Sequence, residues 1–231
     1  MKVDIGIIGA LDEEVKTLIS MLENKITEKI GSIEFHIGDL YGKKLAVARC
    51  GVGKVFAAIA AEAIIVKYAP SLIVNSGVGG ALGKGISTTD VVIADKLCQH
   101  DMDTSPLGDP KGLISGINKI YFDADARAVE ILKRSADELS LKSFIGTIAS
   151  GDRFVAAKED KARIVSEFSA IACEMEGASI AQVAFVNSTP FAVIRAISDS
   201  ADGDATMDYL SFLPIASRNS TALTLSLIKN Y

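Results

Sequence analysis

Apolar and polar positions change period repeatedly along the chain, and each change marks an element. Residues 3–8 form a short apolar run. The next apolar residues, Val15, Leu18, Ile19 and Leu22, fall at intervals of three and four, which sets them on one helical face. Asp12 is placed to cap that helix. Glu13 and Glu14 follow in its first turn, where the helix dipole favours negative charge. Ile33, Phe35 and Ile37 alternate as in a half-exposed strand, and residues 44–49 read as another. Gly51 and Gly53 interrupt the chain before an Ala-rich helix over 55–68. A buried strand over 71–76 ends in a glycine cluster, and 90–95 continue as a strand. Residues 99–119 show little periodicity and predict a long loop. Helices are predicted over 125–139, 158–168, 178–186 and 207–229. Strands are predicted over 143–150, 170–173 and 191–198, the last an apolar run interrupted by Arg195.

Strands and helices alternate, and several strands are apolar on both faces. This predicts one α/β domain over residues 1–231, with a mixed, mostly parallel sheet flanked by helices. The length, 231 residues, needs no linker. Hydrophobic residues make up 49% and charged residues 23%, which excludes a disordered chain. The net charge of −5 leaves no basic footprint for nucleic acid. Mean hydropathy is high at +0.32, yet no apolar run approaches the ~20 residues of a membrane helix. No secretory signal is read at the N-terminus. The apolar surplus therefore belongs to a doubly buried sheet or to a subunit interface. Cys50, Cys98 and Cys173 make neither a disulfide framework nor a metal knuckle, and predict a reduced, cytoplasmic setting.

In sheets of this kind ligands sit beyond the carboxyl ends of strands. Those ends hold residues 9–14, the glycines 77–80, Ser150-Gly151-Asp152, Glu174-Met175-Glu176 and Ser198-Asp199. They are rich in carboxylates and glycines and poor in Lys and His. Such a site suits a neutral or cationic hydroxylated ligand, or acid/base chemistry, and suits a bare phosphate poorly. Each element also has a plainer reading. The glycines are either a turn or a close approach to ligand, and Glu13 and Glu14 are either helix-start charges or site groups. Glu174 and Glu176 share one face if their strand persists. Arg195 is either one half of a structural ion pair or part of the site. His100-Asp101-x-Asp103 reads as a surface turn rather than a metal site. No Gly-x-Ser-x-Gly elbow is present, and the glycines match neither a phosphate loop nor a dinucleotide fingerprint.

Six stretches occur in a telling order: Gly-Ala-Leu-Asp-Glu-Glu-Val (9–15), Gly-Val-Gly-Lys-Val (51–55), Asn-Ser-Gly-Val-Gly-Gly (75–80), Ser-Gly-Asp-Arg-Phe (150–154), Glu-Met-Glu-Gly-Ala (174–178) and Arg-Ala-Ile-Ser-Asp (195–199). With them the chain resembles, over nearly its whole length, the bacterial 5′-methylthioadenosine/S-adenosylhomocysteine nucleosidases of the purine nucleoside phosphorylase-like superfamily. The resemblance implies a three-layer sandwich and hydrolysis of an adenine–ribose bond without metal or organic cofactor. It implies that Glu14 activates water, Glu176 holds the ribose hydroxyls, and Asp199 protonates nitrogen-7 of the purine. Ser198 would orient Asp199, and Arg195 would hold the water and the carboxylates. Phe154 would stack on adenine and the backbone of Val155 would read its edge. Met175, Val52, Leu11 and Tyr209 would line the ribose, base and alkylthio positions, with Glu174, Val78, Gly79 and Gly80 completing the wall. It further implies a homodimer in which Leu107, from the long loop, closes the neighbour's site.

Three positions depart from the family's pattern: Val78 replaces the usual Ser, Leu11 a common Met, and Leu107 a frequent aromatic. They bear on substrate preference more than on reaction class. The rivals are a phosphorylase of the same superfamily, a sibling hydrolase acting on futalosine or 5′-deoxyadenosine, and a non-catalytic nucleoside-binding protein. The acidic loop at 12–14 opposes the first, and the presence of Glu14, Glu176 and Asp199 opposes the last.

Overall fold

The expected alternation of strands and helices is present in the computed structural model, which describes residues 1–199 and 205–231. β1 (Ile5–Gly9) leads to α1 (Asp12–Met21). β2 (Glu23–Ile30), β3 (Ile33–Leu40) and β4 (Lys43–Arg49) follow as a meander. Then come α2 (Lys54–Tyr68), β5 (Leu72–Ala81), β6 (Val91–Gln99), β7 (Phe122–Asp123), α3 (Ala126–Glu138), β8 (Ser143–Ser150), α4 (Lys158–Phe168), β9 (Ala172–Glu174), α5 (Gly177–Val186), β10 (Phe191–Asp199) and α6 (Ala205–Asn230).

The ten strands of the described residues join one mixed sheet. β4, β1, β5 and β10 run parallel in that spatial order, and β6, β8 and β9 form a second parallel block. Antiparallel pairings β10–β6 and β5–β9 join the two blocks. The path β5-β10-β6-β8-β9 thereby returns to β5 and closes a five-strand ring. β5 is its pivot. Its first half pairs with β1 at Leu72–Asn75, and its end pairs with β9 at Gly80 and Ala81.

Successive residues of each central strand point to opposite faces. Ile5, Ile7, Val74 and Ile194 pack with Val15, Leu18 and Leu223 on the side of α1, α3 and α6. Ile8, Ile73 and Val193 pack with Ala57, Ile64 and Ala181 on the side of α2 and α5. Both faces are covered, so the strands read as apolar runs. Each fully buried Ile or Leu contributes roughly 1.5–3 kcal/mol. Gly6 lets α2 approach closely: a Cβ there would lie 2.5 Å from Cγ2 of Ile64.

Several elements differ from the expectation. β2 was not foreseen: it is an edge strand, largely exposed and rich in Lys and Glu, so it carries no buried stripe. β5 does not stop at the glycine cluster but runs through Gly77, Gly79 and Gly80. The long loop is shifted rather than shortened: β6 runs to Gln99, past the expected end at 95, and the loop continues to the short strand β7 at Phe122, which the periodicity does not predict. The loop holds one 3₁₀ turn (Ser105–Leu107) and a bridge between Ile114 and Lys119.

Candidate active site

The carboxyl ends of β1, β5, β8, β9 and β10 converge on one cavity of about 230 Å³, and four carboxylates reach it, those of Glu14, Glu174, Glu176 and Asp199. Each is held by a different local device.

Glu14 is held by the start of its own helix. Asp12 does not cap α1. Leu11 is the N-cap residue and offers no side-chain acceptor, while Asp12 points outward to an exposed ion pair with Arg49 at 3.0 Å. Glu14 fills the gap. Its Oε2 accepts the amides of Ala10 (2.6 Å) and Leu11 (2.9 Å), and its Oε1 accepts the amide of Val78 (3.0 Å). The last contact explains a glycine inside a strand: a Cβ on Gly77 would lie 2.5 Å from Oε1 of Glu14. Burial pushes the Glu14 carboxyl above its ordinary value, although Arg195 and the three amides oppose this.

Glu174 and Arg195 form a buried hub. Arg195 donates through Nη2 to Glu174 Oε2 and to the Asn75 side chain, and through Nη1 to the carbonyl of Ile194 at 2.9 Å. Asn75 is itself fixed by its amide on the carbonyl of Ile8 at 2.9 Å. Glu174 also accepts the Ser150 hydroxyl on Oε1, and the amides of Glu176 (3.0 Å) and Gly177 (2.7 Å) on Oε2. Burial opposes the charge on Glu174, but Arg195, Ser150 and the Gly177 amide outweigh it and hold the carboxyl below its ordinary value. Glu174 lines the cavity, yet its oxygens are committed to protein donors. Arg195 lies behind the wall, only 1% exposed, so it positions the site groups rather than facing the cavity.

Glu176 does not share a strand face with Glu174. β9 ends at Glu174, and Glu176 is the N-cap residue of α5. Its Oε1 accepts the amide of Gly53 at 2.8 Å, and its Oε2 is 4.0 Å from Arg195 Nη2. Burial, with the charge of Glu174 beside it, pushes Glu176 up to about 7, against the pull of Arg195 and the Gly53 amide. Asp199 ends β10, buried, and its Oδ1 receives the Ser198 hydroxyl at 3.1 Å. A second strand glycine gives it room: a Cβ on Gly80 would sit 2.7 Å from Asp199 Oδ2.

The rest of the wall is mainly apolar: Leu11, Val52, Val78, Val155, Met175, Phe154 and Tyr209, with Gly79, Gly80 and Ser198 between them. Phe154 and Tyr209 meet edge to face with ring centres 5.7 Å apart, and Phe154 is half exposed. The cavity thus brings together every predicted site residue except Arg195, behind it, and Leu107, which lies 84% exposed on the loop turn. Ala10, Arg153 and Cys173 also line it and were not foreseen. Each adjoins a predicted residue, which was the available signal. The turn at 100–101 is present and leaves Asp101 and Asp103 exposed, but the His100 side chain turns inward. It is buried beneath Gly151, whose Cβ would strike its ring at 2.4 Å. Among the described residues no group of three or more His, Cys, Asp or Glu is placed to hold a metal ion, and no helix is long and apolar enough to cross a membrane.

Among the described residues, four carboxylates face only two guanidiniums, Arg195 behind the wall and Arg153 on the lining, so acidic groups outnumber basic ones at the cavity. An environment of this kind stabilises positive charge that develops on a bound molecule. It also contains groups biased toward holding protons and a buried carboxylate, Glu14, whose basicity is enhanced.

A family model described as the phosphorylase superfamily matches residues 4–229. A 5′-methylthioadenosine/S-adenosylhomocysteine nucleosidase of Shewanella loihica is 37% identical over 98% of this chain and 99% of its own. The solved Neisseria meningitidis nucleosidase of the same name, in complex with methylthio-immucillin-A, is 36% identical. It superposes with a TM-score of 0.95 over 99% of both chains. A futalosine hydrolase of Helicobacter pylori is 34% identical and superposes at 0.94, over 99% of this chain and 98% of that one.

Proposed function

Because the chain belongs to the 5′-methylthioadenosine/S-adenosylhomocysteine nucleosidase family of the phosphorylase superfamily, we propose that it hydrolyses the adenine–ribose bond of those two nucleosides. Glu14 takes a proton from water as that water attacks the anomeric carbon. The bond from that carbon to nitrogen-9 breaks, and its electron pair passes into the purine. Asp199, oriented by Ser198, supplies a proton at nitrogen-7, so that neutral adenine leaves. Glu176 holds the ribose hydroxyls and faces the positive charge that grows on the sugar. Phe154 stacks on the base, the Val155 backbone reads its edge, and the apolar wall takes the 5′-thio substituent. The products are adenine and the 5′-thio-substituted ribose. The chain supplies these groups itself, with no cofactor in the scheme.

One observation carries the choice of water over phosphate. The amides of Ala10, Leu11 and Val78 converge on one point, as in an anion nest, but the carboxylate of Glu14 already occupies them. A phosphate there would meet a negative charge. Glu14→Gln tests the assignment, since it keeps the shape and loses the base. Turnover should fall by about 10²–10⁴-fold while a transition-state analogue still binds. Normal turnover by this variant would move the water to another base. The likeness to a futalosine hydrolase favours offering futalosine beside methylthioadenosine, because both fall within one reaction class.

The protomer is further proposed to work as a cytoplasmic homodimer. Val55, Phe56 and Ile59 on α2 and Phe185 and Val186 on α5 are exposed apolar side chains on two helices that pack together, which supports a subunit contact there. Val52 and Phe154, on the cavity lining, are exposed as well, and Leu107 is exposed on its loop, which supports its reaching a neighbour's cavity. Sedimentation of Leu107→Asp beside the parent protein, with KM for the nucleoside, tests both the association and the closing role.

A further inference from the structure

The Gly53 amide that holds Glu176 comes from the start of α2, where the Gly53 carbonyl takes the Ala57 amide at 3.1 Å and the Lys54 carbonyl takes the Ser179 hydroxyl at 3.0 Å. Gly53 has φ +102°, a conformation that favours glycine, and α2 begins after it without a side-chain cap of its own. The cap arrives from a different part of the chain. Asp152, after β8, accepts the Lys54 amide on Oδ1 at 2.8 Å. Asp152 donates its own amide to Asp101 Oδ2 at 2.9 Å, just past β6. Asp101 Oδ1 in turn accepts the Lys54 ammonium at 2.6 Å, which also donates to Gln99 at 3.0 Å. Three distant segments, the start of α2 and the ends of β6 and β8, thus close a hydrogen-bonded ring around Gly53. Asp152 Oδ1 also stands 3.0 Å from where a Cβ on Gly53 would be. None of Lys54, Asp101 and Asp152 lines the cavity.

We propose that Lys54, Asp101 and Asp152 are positioning residues for ribose recognition: their ring aims the Gly53 amide at Glu176 Oε1, which fixes the carboxylate that receives the sugar hydroxyls. This rests on the nucleosidase reading, in which Glu176 is that carboxylate. With Oε1 held by Gly53 and Oε2 near Arg195, the carboxylate keeps one orientation on the cavity wall. Without the ring, the Ala57 amide on the Gly53 carbonyl (3.1 Å) and the Ser179 hydroxyl on the Lys54 carbonyl (3.0 Å) remain, but the peptide between Gly53 and Lys54 loses its partner and the Gly53 amide is aimed less well at the carboxylate. The base subsite, at Phe154, Val155 and Asp199, does not depend on the Gly53 amide.

The test separates sugar from base. Asp152→Ala removes the acceptor that caps Lys54, and Asp152→Asn keeps an oxygen in its place. For Asp152→Ala the KM for 5′-methylthioadenosine should rise about tenfold, with the inhibition constant for free adenine unchanged. Asp152→Asn should restore KM to within about twofold. An unchanged KM in Asp152→Ala overturns the proposal. So does an equal loss of nucleoside and adenine affinity, which marks general damage to the site. A parent protein that binds adenine but neither binds nor cleaves the nucleoside overturns the nucleosidase reading instead.

Discussion

Glu176→Gln makes the electrostatic strain of the site measurable as stability. In the fold, burial and the neighbouring Glu174 charge hold the Glu176 proton up to about 7, against an ordinary value of 4.5. Between those values the folded chain binds more protons than the unfolded one, so stability falls as pH rises through the window. Below it both states are protonated and no cost remains. Above it the full cost of about 3 kcal/mol applies, at about 1.4 kcal/mol for each tenfold change in proton affinity. Gln mimics the protonated carboxyl at every pH and still offers Gly53 an oxygen acceptor. The variant should therefore differ from the parent by less than about 1 kcal/mol at about pH 5 and be more stable by about 3 kcal/mol at about pH 8. For a chain of this size that gain corresponds to a melting point higher by about 6–12 °C. Urea unfolding at the two pH values, with linear extrapolation, reads the difference directly. Turnover of the same variant should fall, since the ribose loses its anionic partner. A stability difference equal at both pH values would refute the reasoning, because it would show that Glu176 ionises in the fold as freely as in the unfolded chain.

Asp199→Asn should lower adenine release by about 10²–10⁴-fold while the nucleoside still binds. Activity within about tenfold of the parent would remove Asp199 as the proton donor. Gly77→Ala places a Cβ 2.5 Å from Glu14 Oε1 and should break the Val78 amide contact. A fall in kcat of about 10–100-fold is expected, with adenine affinity kept, and an unchanged kcat would mean that the Glu14 geometry is not needed.

The central strands and the helices were legible because burial on one or both faces writes a period into the sequence. Residues 143–150 and 158–168 were read with the observed bounds. β2 was not legible, since an exposed edge strand needs no apolar stripe. The glycines of β5 misled in an instructive way. Gly77 and Gly80 look like strand breakers, but they are the places where a strand makes room for the carboxylates of Glu14 and Asp199. Glu14, Glu176 and Asp199 stood out as carboxylates at strand ends. Their supports did not. Asn75 and Ser150 lay in quoted motifs without a role, and became the partners of Arg195 and Glu174. Lys54, Asp101 and Asp152 act through bonds that span 47, 51 and 98 positions, a separation that no local pattern records. Asp12 was read as the helix cap by residue type, whereas Glu14 reaches back from the third helical position and does that work.

The most direct test of the account is adenine release from 5′-methylthioadenosine, measured with and without inorganic phosphate, with the sugar product identified. The occupied amides at Glu14 predict release at the same rate in both and free methylthioribose as the product. Release that required phosphate and gave a sugar 1-phosphate would contradict the account and assign the chain to phosphorolysis.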